Sequence, residues 1–392
     1  MTPSFPFSLM PILFLTAIFY LGFVSRVILA PLLPVLEGDL GLGHGEAGSL
    51  FFFSAFGYCA GLLGSGFVSA RLSHRRTIAL SAVAVGATLL VISRSASVAG
   101  LQAGLVLLGF SAGLYLPSGV GTLTDQVSEA HWGKALAIHE FAPNLGYITA
   151  PLLAEALLRF FSWRGVLGVV GMLGMLLGVF FQRFGRGGDQ RGEPPRFEAT
   201  KLLLRDPSLW IMAGIFVVGI GSTMGVYLMM PLYLVSELRW DRELANTLIG
   251  FSRMAGLAFV YLSGLVTDRI GHRRALASFL TATGALTILL GLVHGSVITP
   301  VLLLLQSVFS AWFFPAAFSI VSLLFAPRQR SLAVSLVAVA GSLAGAGAIP
   351  TGIGYFAEAF SFSSAICITG LLTLGAVPLL LRVKPSADHA KG

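Results

Sequence analysis

Apolar residues run on for about the length of a membrane-crossing helix, roughly 20 residues at 1.5 Å rise each, and then stop at short intervals that hold most of the charge. Charges, Pro and Gly divide the chain into twelve such runs, near 8–36, 45–70, 77–95, 98–124, 133–160, 164–184, 207–236, 243–268, 273–294, 297–326, 330–359 and 362–383. In lipid the backbone must satisfy its own hydrogen bonds within each segment, so each run is predicted to be a helix. Barrel strands would be about half as long and would alternate apolar with polar; these runs do not alternate.

The longest polar interval, Arg183 to Asp206, contains Gly187, Gly188, Pro194 and Pro195 and separates the spans six and six. The expected organisation is an N-terminal bundle (1–184), a cytoplasmic linker loop (185–206) and a C-terminal bundle (207–392). With the loop Glu37 to Glu46 placed outside, the inside-facing segments hold 18 Lys and Arg and the outside-facing ones 5. Positive residues stay in the cytoplasm, so both termini are expected there, in a multi-pass protein of a bacterial inner membrane. Met1 to Met10 has no basic residue and no cleavage site, so the first run reads as a retained span and not as a signal peptide.

Composition changes this picture in what it excludes. Charged residues make up 11% of the 392 and hydrophobic ones 56%, against about 25% charged in a soluble domain, so lipid is the solvent and the bilayer the first partner. The net charge of +8 is spread over short loops as topology requires, which argues against nucleic acid. Cys59 and Cys367 sit inside apolar runs as small packing residues, and no spacing suggests a metal or a cofactor. There is no G-x-x-x-x-G-K-[ST] loop to drive transport with ATP, and an enzyme is not expected.

The chain repeats itself. GFVSARLSHRR at 66–76 and GLVTDRIGHRR at 264–274 share six of eleven positions at an offset of 198; Pro117 and Pro315 keep that offset, and Pro151 and Pro350 differ by 199. Two copies of a six-helix unit suit rocking of one half against the other. Segment 264–274 resembles the major facilitator superfamily loop signature, G-x-x-x-D-R-x-G-x-R-R, with each key position filled. The resemblance implies an all-α membrane protein whose twelve transmembrane helices form two bundles related by a pseudo-two-fold axis, working by alternating access. It gives Asp268 an acidic gating role, Gly264 a close helix contact, and Arg269, Arg273 and Arg274 the basic positions. The first copy departs from it: Ala70 replaces the acid and Ser73 the glycine.

Ionisable groups inside spans cost about 2.5–3.5 kcal/mol for Arg at the centre and so point to function. Arg26 in span 1 and Arg253 in span 8 each lie about ten residues from an outer helix end, roughly 15 Å deep. The offset maps them onto Met224 and Ala55, so neither is repeated in the other half. That asymmetry favours function over architecture, and the expectation is that both arginines bind an anionic substrate through paired guanidinium donors. The alternative is neutralisation by an internal acid, for which Glu140, Glu155 and Glu358 are the candidates.

His139 and Glu140, two turns into span 5, are candidates for a coupling proton, since imidazole titrates near neutrality; pairing with Lys134 is the alternative. Asn144, Gln306, Tyr227 and Trp312 either line the cavity or stitch and pack helices. An arginine in span 8 is similar to those of monocarboxylate, oxalate/formate and nitrate porters, and one in span 1 to those of organophosphate porters. The expected function is secondary transport of a small organic or inorganic anion by a monomer, coupled to protons. Proton-coupled efflux of an amphipathic drug or metabolite is the alternative, and a non-transporting sensor the third reading.

Overall fold

In the computed structural model of the chain, residues 5–192, 200–201 and 203–382 are described. Arg196, Lys384 and Lys391 of the charge count, and Pro194 and Pro195 of the linker, lie outside them. Among the described residues the chain is helical throughout and carries twelve helical spans. The first six are α1 (Phe5–Val27, continued by Leu29–Leu40), α2 (His44–Leu72), α3 (His74–Ile92), α4 (Val98–Gly113 and Tyr115–Asp125), α5 (Trp132–Leu158) and α6 (Trp163–Phe184). The second six are α7 (Pro207–Glu237), α8 (Arg242–Ile270), α9 (His272–Leu292), α10 (Ile298–Ala311 and Phe313–Leu324), α11 (Pro327–Ala340, continued to Ile349–Ala359) and α12 (Phe362–Gly375). Ten are long and apolar enough to cross a membrane, and α8, taken as one span over its bend, makes eleven. α5, outside that set, carries Lys134, Glu140 and Glu155.

Spans 1, 4 and 10, expected as single helices, are each broken by one residue: Ile28, Leu114 and Trp312. The cause is the same each time. Pro31, Pro117 and Pro315 lie three residues further on, and a proline ring removes the N–H that the carbonyl four residues back would receive. At the α4 break the Ser65 hydroxyl supplies a donor to Leu114 O at 2.9 Å. In α7 and α11 the ladder widens instead, into π-helices at Gly221–Gly225, Tyr233–Glu237 and Gly341–Ala348. Such wide turns collect at functional places in helices.

The residues fall into two compact units, 1–42 with 53–195 and 43–52 with 196–392. In the first, α2 and α4 meet backbone to backbone. A Cβ on Gly57 would lie 2.0 Å from Val106 O, and one on Gly109 2.0 Å from Ser54 O; at Gly61 and Gly113 the distances are 2.2 Å to Phe110 O and 2.4 Å to Tyr58 O. Two G-x-x-x-G stretches, 57–61 and 109–113, thus face each other, the usual device for close helix approach where no hydrophobic force drives helices together. At the other end of α1, Asp39 accepts from Trp163 Nε1 at 2.9 Å and from the Arg164 guanidinium, tying α1 to the start of α6.

The second unit is centred on buried Phe216, Phe279, Phe313, Ile320 and Val321. Glu237 accepts from the backbone N–H groups of Phe362 and Ser363 and so caps α12, satisfying donors that a helix start leaves open. Within this unit the first turns of α2 pack on α11: Gly45 N–H donates to the Glu358 carboxylate at 3.1 Å, and the Thr351 hydroxyl to Gly48 O at 3.2 Å.

Candidate functional site

In the first unit, Arg26 lies near the end of the first segment of α1. Its guanidinium carbon stands 3.7 Å over the centre of the Tyr58 ring on α2. The Arg26 Nε is buried without a hydrogen-bond partner, and the residue forms no ion pair among the described residues. The candidate acids do not neutralise it: neither Glu140 nor Glu155 forms an ion pair with Arg26 among the described residues, and Glu358 accepts from Gly45 N–H in the other unit. Arg26 and Tyr58 line a small cavity of about 20 Å³, together with Phe19, Ser81, Val85 and Tyr115.

Behind the aromatic wall of that cavity sits His139. It is fully buried, stacks on Phe19 with centroids 4.5 Å apart, and approaches the Tyr115 hydroxyl at 3.0 Å through Nε2. Tyr115 gives its own proton to Leu15 O at 2.7 Å. A phenol has one proton to give, so Nε2 of His139 must be the donor in that contact. The neutral ring therefore leaves Nδ1 bare. Nδ1 is buried, has no hydrogen-bond partner, and stands 3.5 Å from Glu140 Oε1. A proton added at Nδ1 would be held between imidazole and carboxylate. Glu140 and Asn144 share an exposed face of α5, one turn apart, and the Asn144 amide donates to Glu140 O at 3.1 Å.

The second unit repeats the arginine-on-tyrosine arrangement with the helices exchanged. Arg253 on α8 lies 4.7 Å over the ring of Tyr227 on α7 and donates through Nη2 to Thr223 O at 2.8 Å. Thr223 belongs to the first π-helix of α7, whose widened ladder turns a carbonyl towards a side chain. Gln306 is buried and gives its amide N–H to Ser222 O at 2.8 Å, joining α10 to α7. Trp312 packs edge-on against Phe279 at 5.2 Å and tilted against Phe309 at 5.4 Å, at the side of the core. Of the residues singled out in this half, Arg253 and Tyr227 come together; Gln306 joins α10 to α7, and Trp312 packs on aromatic rings while its Nε1 is buried without a hydrogen-bond partner.

Thr223, Phe19 and the contact between Arg26 and Tyr58 were not foreseen. No local spacing links residues 26 and 58. The one available signal was the facing pair of G-x-x-x-G stretches, the first of which contains Tyr58.

At the loop signature, Gly271 turns the chain between α8 and α9 at φ +85°, ψ 149°. Ser73 takes the same backbone shape in the first copy, at φ 95°, ψ 158°, a region open almost solely to glycine. Gly264, expected to make a close helix contact, makes none in this conformation: a Cβ there would meet nothing within 4 Å. Asp268 and Arg269 are exposed, and so is Arg273. In the first copy, where Ala70 stands for the acid, the linker supplies one. Asp189 lies 3.7 Å from Arg75, and linker carbonyls of Gly188 and Gln190 accept from the N–H groups of Arg75 and His74.

The sequence model of the Major Facilitator Superfamily matches residues 12–303 and, in a second match, 229–392. The chain belongs to this superfamily. A major facilitator efflux pump of Mycolicibacterium smegmatis is 27% identical over 179 residues, 44% of this chain and 41% of that protein. A protein of Cupriavidus necator described as a probable sulfoacetate transporter is 24% identical over 277 residues, 65% of this chain and 64% of its own. The matched stretches thus span less than two thirds of either relative. Among solved structures, an inward-facing, occupied bacterial homologue of the human lysosomal transporter Spinster shares the fold at a TM-score of 0.84 with 16% identity, covering 97% of both chains. A D-xylose–proton symporter does so at 0.74 and 17%, over 97% of this chain and 98% of that one.

Proposed function

We propose that this major facilitator transporter carries a small organic or inorganic anion, coupled to protons, across a bacterial inner membrane with both termini in the cytoplasm. The observation that carries the reading is Arg26. It is a guanidinium inside a membrane span, resting on the Tyr58 ring, with no carboxylate partner among the described residues and a buried Nε that makes no hydrogen bond. Such a charge is costly to keep in a membrane. An anion entering the cavity would repay that cost with paired, charge-assisted hydrogen bonds.

Arg253 on Tyr227 is the second proposed contact, and Asn144 is a further one on the exposed face of α5. His139 with Glu140 is the proposed proton carrier, because Nδ1 is bare in the neutral ring and faces a carboxylate. Two relatives support the same reading: the Cupriavidus protein, and an Escherichia coli protein described as a probable L-galactonate transporter, are both named for anions. The proposed gate is the loop signature with Gly264, Asp268, Arg269 and Arg273.

Ligand-dependent thermal stabilisation of the purified protein tests this. Binding raises the apparent melting temperature as RT ln(1 + [L]/Kd). The expected result is that a carboxylate, sulfonate, phosphate ester or nitrate stabilises the wild type and neither Arg26→Ala nor Arg253→Ala. Stabilisation only by cations or neutral amphipaths, or hits that persist in both variants, would put efflux of an amphipathic compound in its place.

A further inference from the structure

Away from the transport site, α3 and α6 leave a groove at the end of the first unit where α3 begins and α6 ends. It has a volume of about 640 Å³ and is lined by Arg76, Leu80, Val83, Val179, Gln182 and Arg183. Its chemistry is divided. One end carries the two guanidinium groups of the first turn of α3 and the last turn of α6. The rest is largely apolar, and part of it is exposed: Leu80 is 43% accessible and Val179 58%. On membrane-spanning helices such a surface faces acyl chains.

The arginines differ in how they are satisfied. Arg75 is engaged twice, donating to Gln182 O at 3.0 Å and standing 3.7 Å from Asp189. Arg76 and Arg183 have no carboxylate partner among the described residues; Arg183 only lies over the Phe184 ring at 5.6 Å. Asp189 pairs with Arg75 at 3.7 Å and with neither of these two among the described residues. Two unneutralised guanidinium groups at a helix-end level, above an apolar trough that runs down the span, match a phosphodiester headgroup with its chains below.

We infer that this groove is a binding site for an anionic glycerophospholipid, with the headgroup phosphate between Arg76 and Arg183 and an acyl chain over Leu80, Val83 and Val179. A zwitterionic lipid answers its own phosphate with an ammonium and loses the advantage. The site lies at the end of the bundle that the charge count assigns to the cytoplasm.

Native mass spectrometry of the full-length protein in detergent, titrated with dioleoyl phosphatidylglycerol, dioleoyl phosphatidylcholine or inorganic phosphate, tests it. The wild type should hold phosphatidylglycerol about tenfold more tightly than phosphatidylcholine, and R76Q/R183Q should weaken that binding by about thirtyfold. A charge-matched R94Q/R159Q variant, changed at the opposite end of the bundle, should bind as the wild type does. Equal retention of the two lipids, unchanged binding in R76Q/R183Q, or displacement of phosphatidylglycerol by an equal concentration of phosphate overturns the inference. Should the double variant fail to fold, a diazirine-bearing phosphatidylglycerol on the wild type decides: cross-links within 74–84 and 176–186 support the site, and cross-links confined elsewhere sink it.

Discussion

Arg26 rests its guanidinium on the face of Tyr58, 3.7 Å from the ring centre, so a charge from one helix is held by a ring from the next without either being neutralised. The same contact between Arg253 and Tyr227 uses the two helices in the opposite order. The guanidinium lies over the π face of the ring. Tyr58→Phe should therefore bind anion as the wild type does. Tyr58→Leu should lose about three- to thirtyfold in affinity, the worth of a partly desolvated cation–π contact. Arg26→Ala should lose about a hundredfold or more, as truncation of a charged hydrogen-bonding partner does. Isothermal titration with the anion found by thermal screening measures all three, and a Tyr58→Phe loss as large as that of Tyr58→Leu would refute the shelf.

His139 is the proposed proton site, and its role separates coupling from binding. In proteoliposomes, His139→Gln should retain anion exchange across the membrane and lose accumulation driven by an imposed pH gradient. Glu140→Gln, which removes the acceptor 3.5 Å from Nδ1, should behave alike. Gradient-driven accumulation at the wild-type level in both variants would remove the pair from the coupling mechanism.

The α2–α4 seam gives a prediction about stability. A Cβ at Gly109 would lie 2.0 Å from Ser54 O, a backbone atom that cannot rotate away. Gly109→Ala should cost at least about 1–3 kcal/mol, the usual range for overpacking, and lower the melting temperature measured by nano-differential scanning fluorimetry. Gly64→Ala is the matched control, since a Cβ there meets only the Phe110 ring edge at 3.7 Å, and it should be near neutral.

Ser73 offers the opposite sign. At φ 95°, ψ 158° it occupies a region costing about 1–3 kcal/mol for a residue with a Cβ. Glycine relieves this and returns up to about 1 kcal/mol through the entropy of the unfolded chain. Ser73→Gly should therefore stabilise the protein by about 1 kcal/mol, visible as a raised midpoint in the same assay. A lowered midpoint would mean that the serine side chain holds the turn.

Much of the fold could be read along the chain because lipid imposes a simple rule: long apolar runs, charges at their ends, and a repeated GFVSARLSHRR-type segment that marks two halves. The breaks within α1, α4 and α10 were written in Pro31, Pro117 and Pro315, but only the structure shows the interruption falling three residues earlier each time. The π-helices were less visible. The change of offset from 198 to 199 between Pro117/Pro315 and Pro151/Pro350 was a trace of one, since the wide turns at Gly341–Ala348 can hold an extra residue without ending the helix. Single membrane charges pointed to Arg26 and Arg253, yet not to their shelves, because side chains on different helices share no sequence period. For Gln306 and Trp312 the residue type alone could not separate lining a cavity from joining helices; Gln306 is buried with a fixed partner on α7, whereas Trp312 is partly buried with its Nε1 unpartnered.

The seam between α2 and α4 has a mechanical consequence. Where glycines let main chain touch main chain, there are no side chains to slide or change rotamer, so the two helices should travel as one plank. Tyr58 lies inside that plank, its carbonyl oxygen 2.4 Å from where a Cβ of Gly113 would be, one residue before the α4 break at Leu114. A tilt of α4 at its break is thereby passed to the ring beneath Arg26, and the charge in the cavity becomes the load on a lever whose hinge is Leu114.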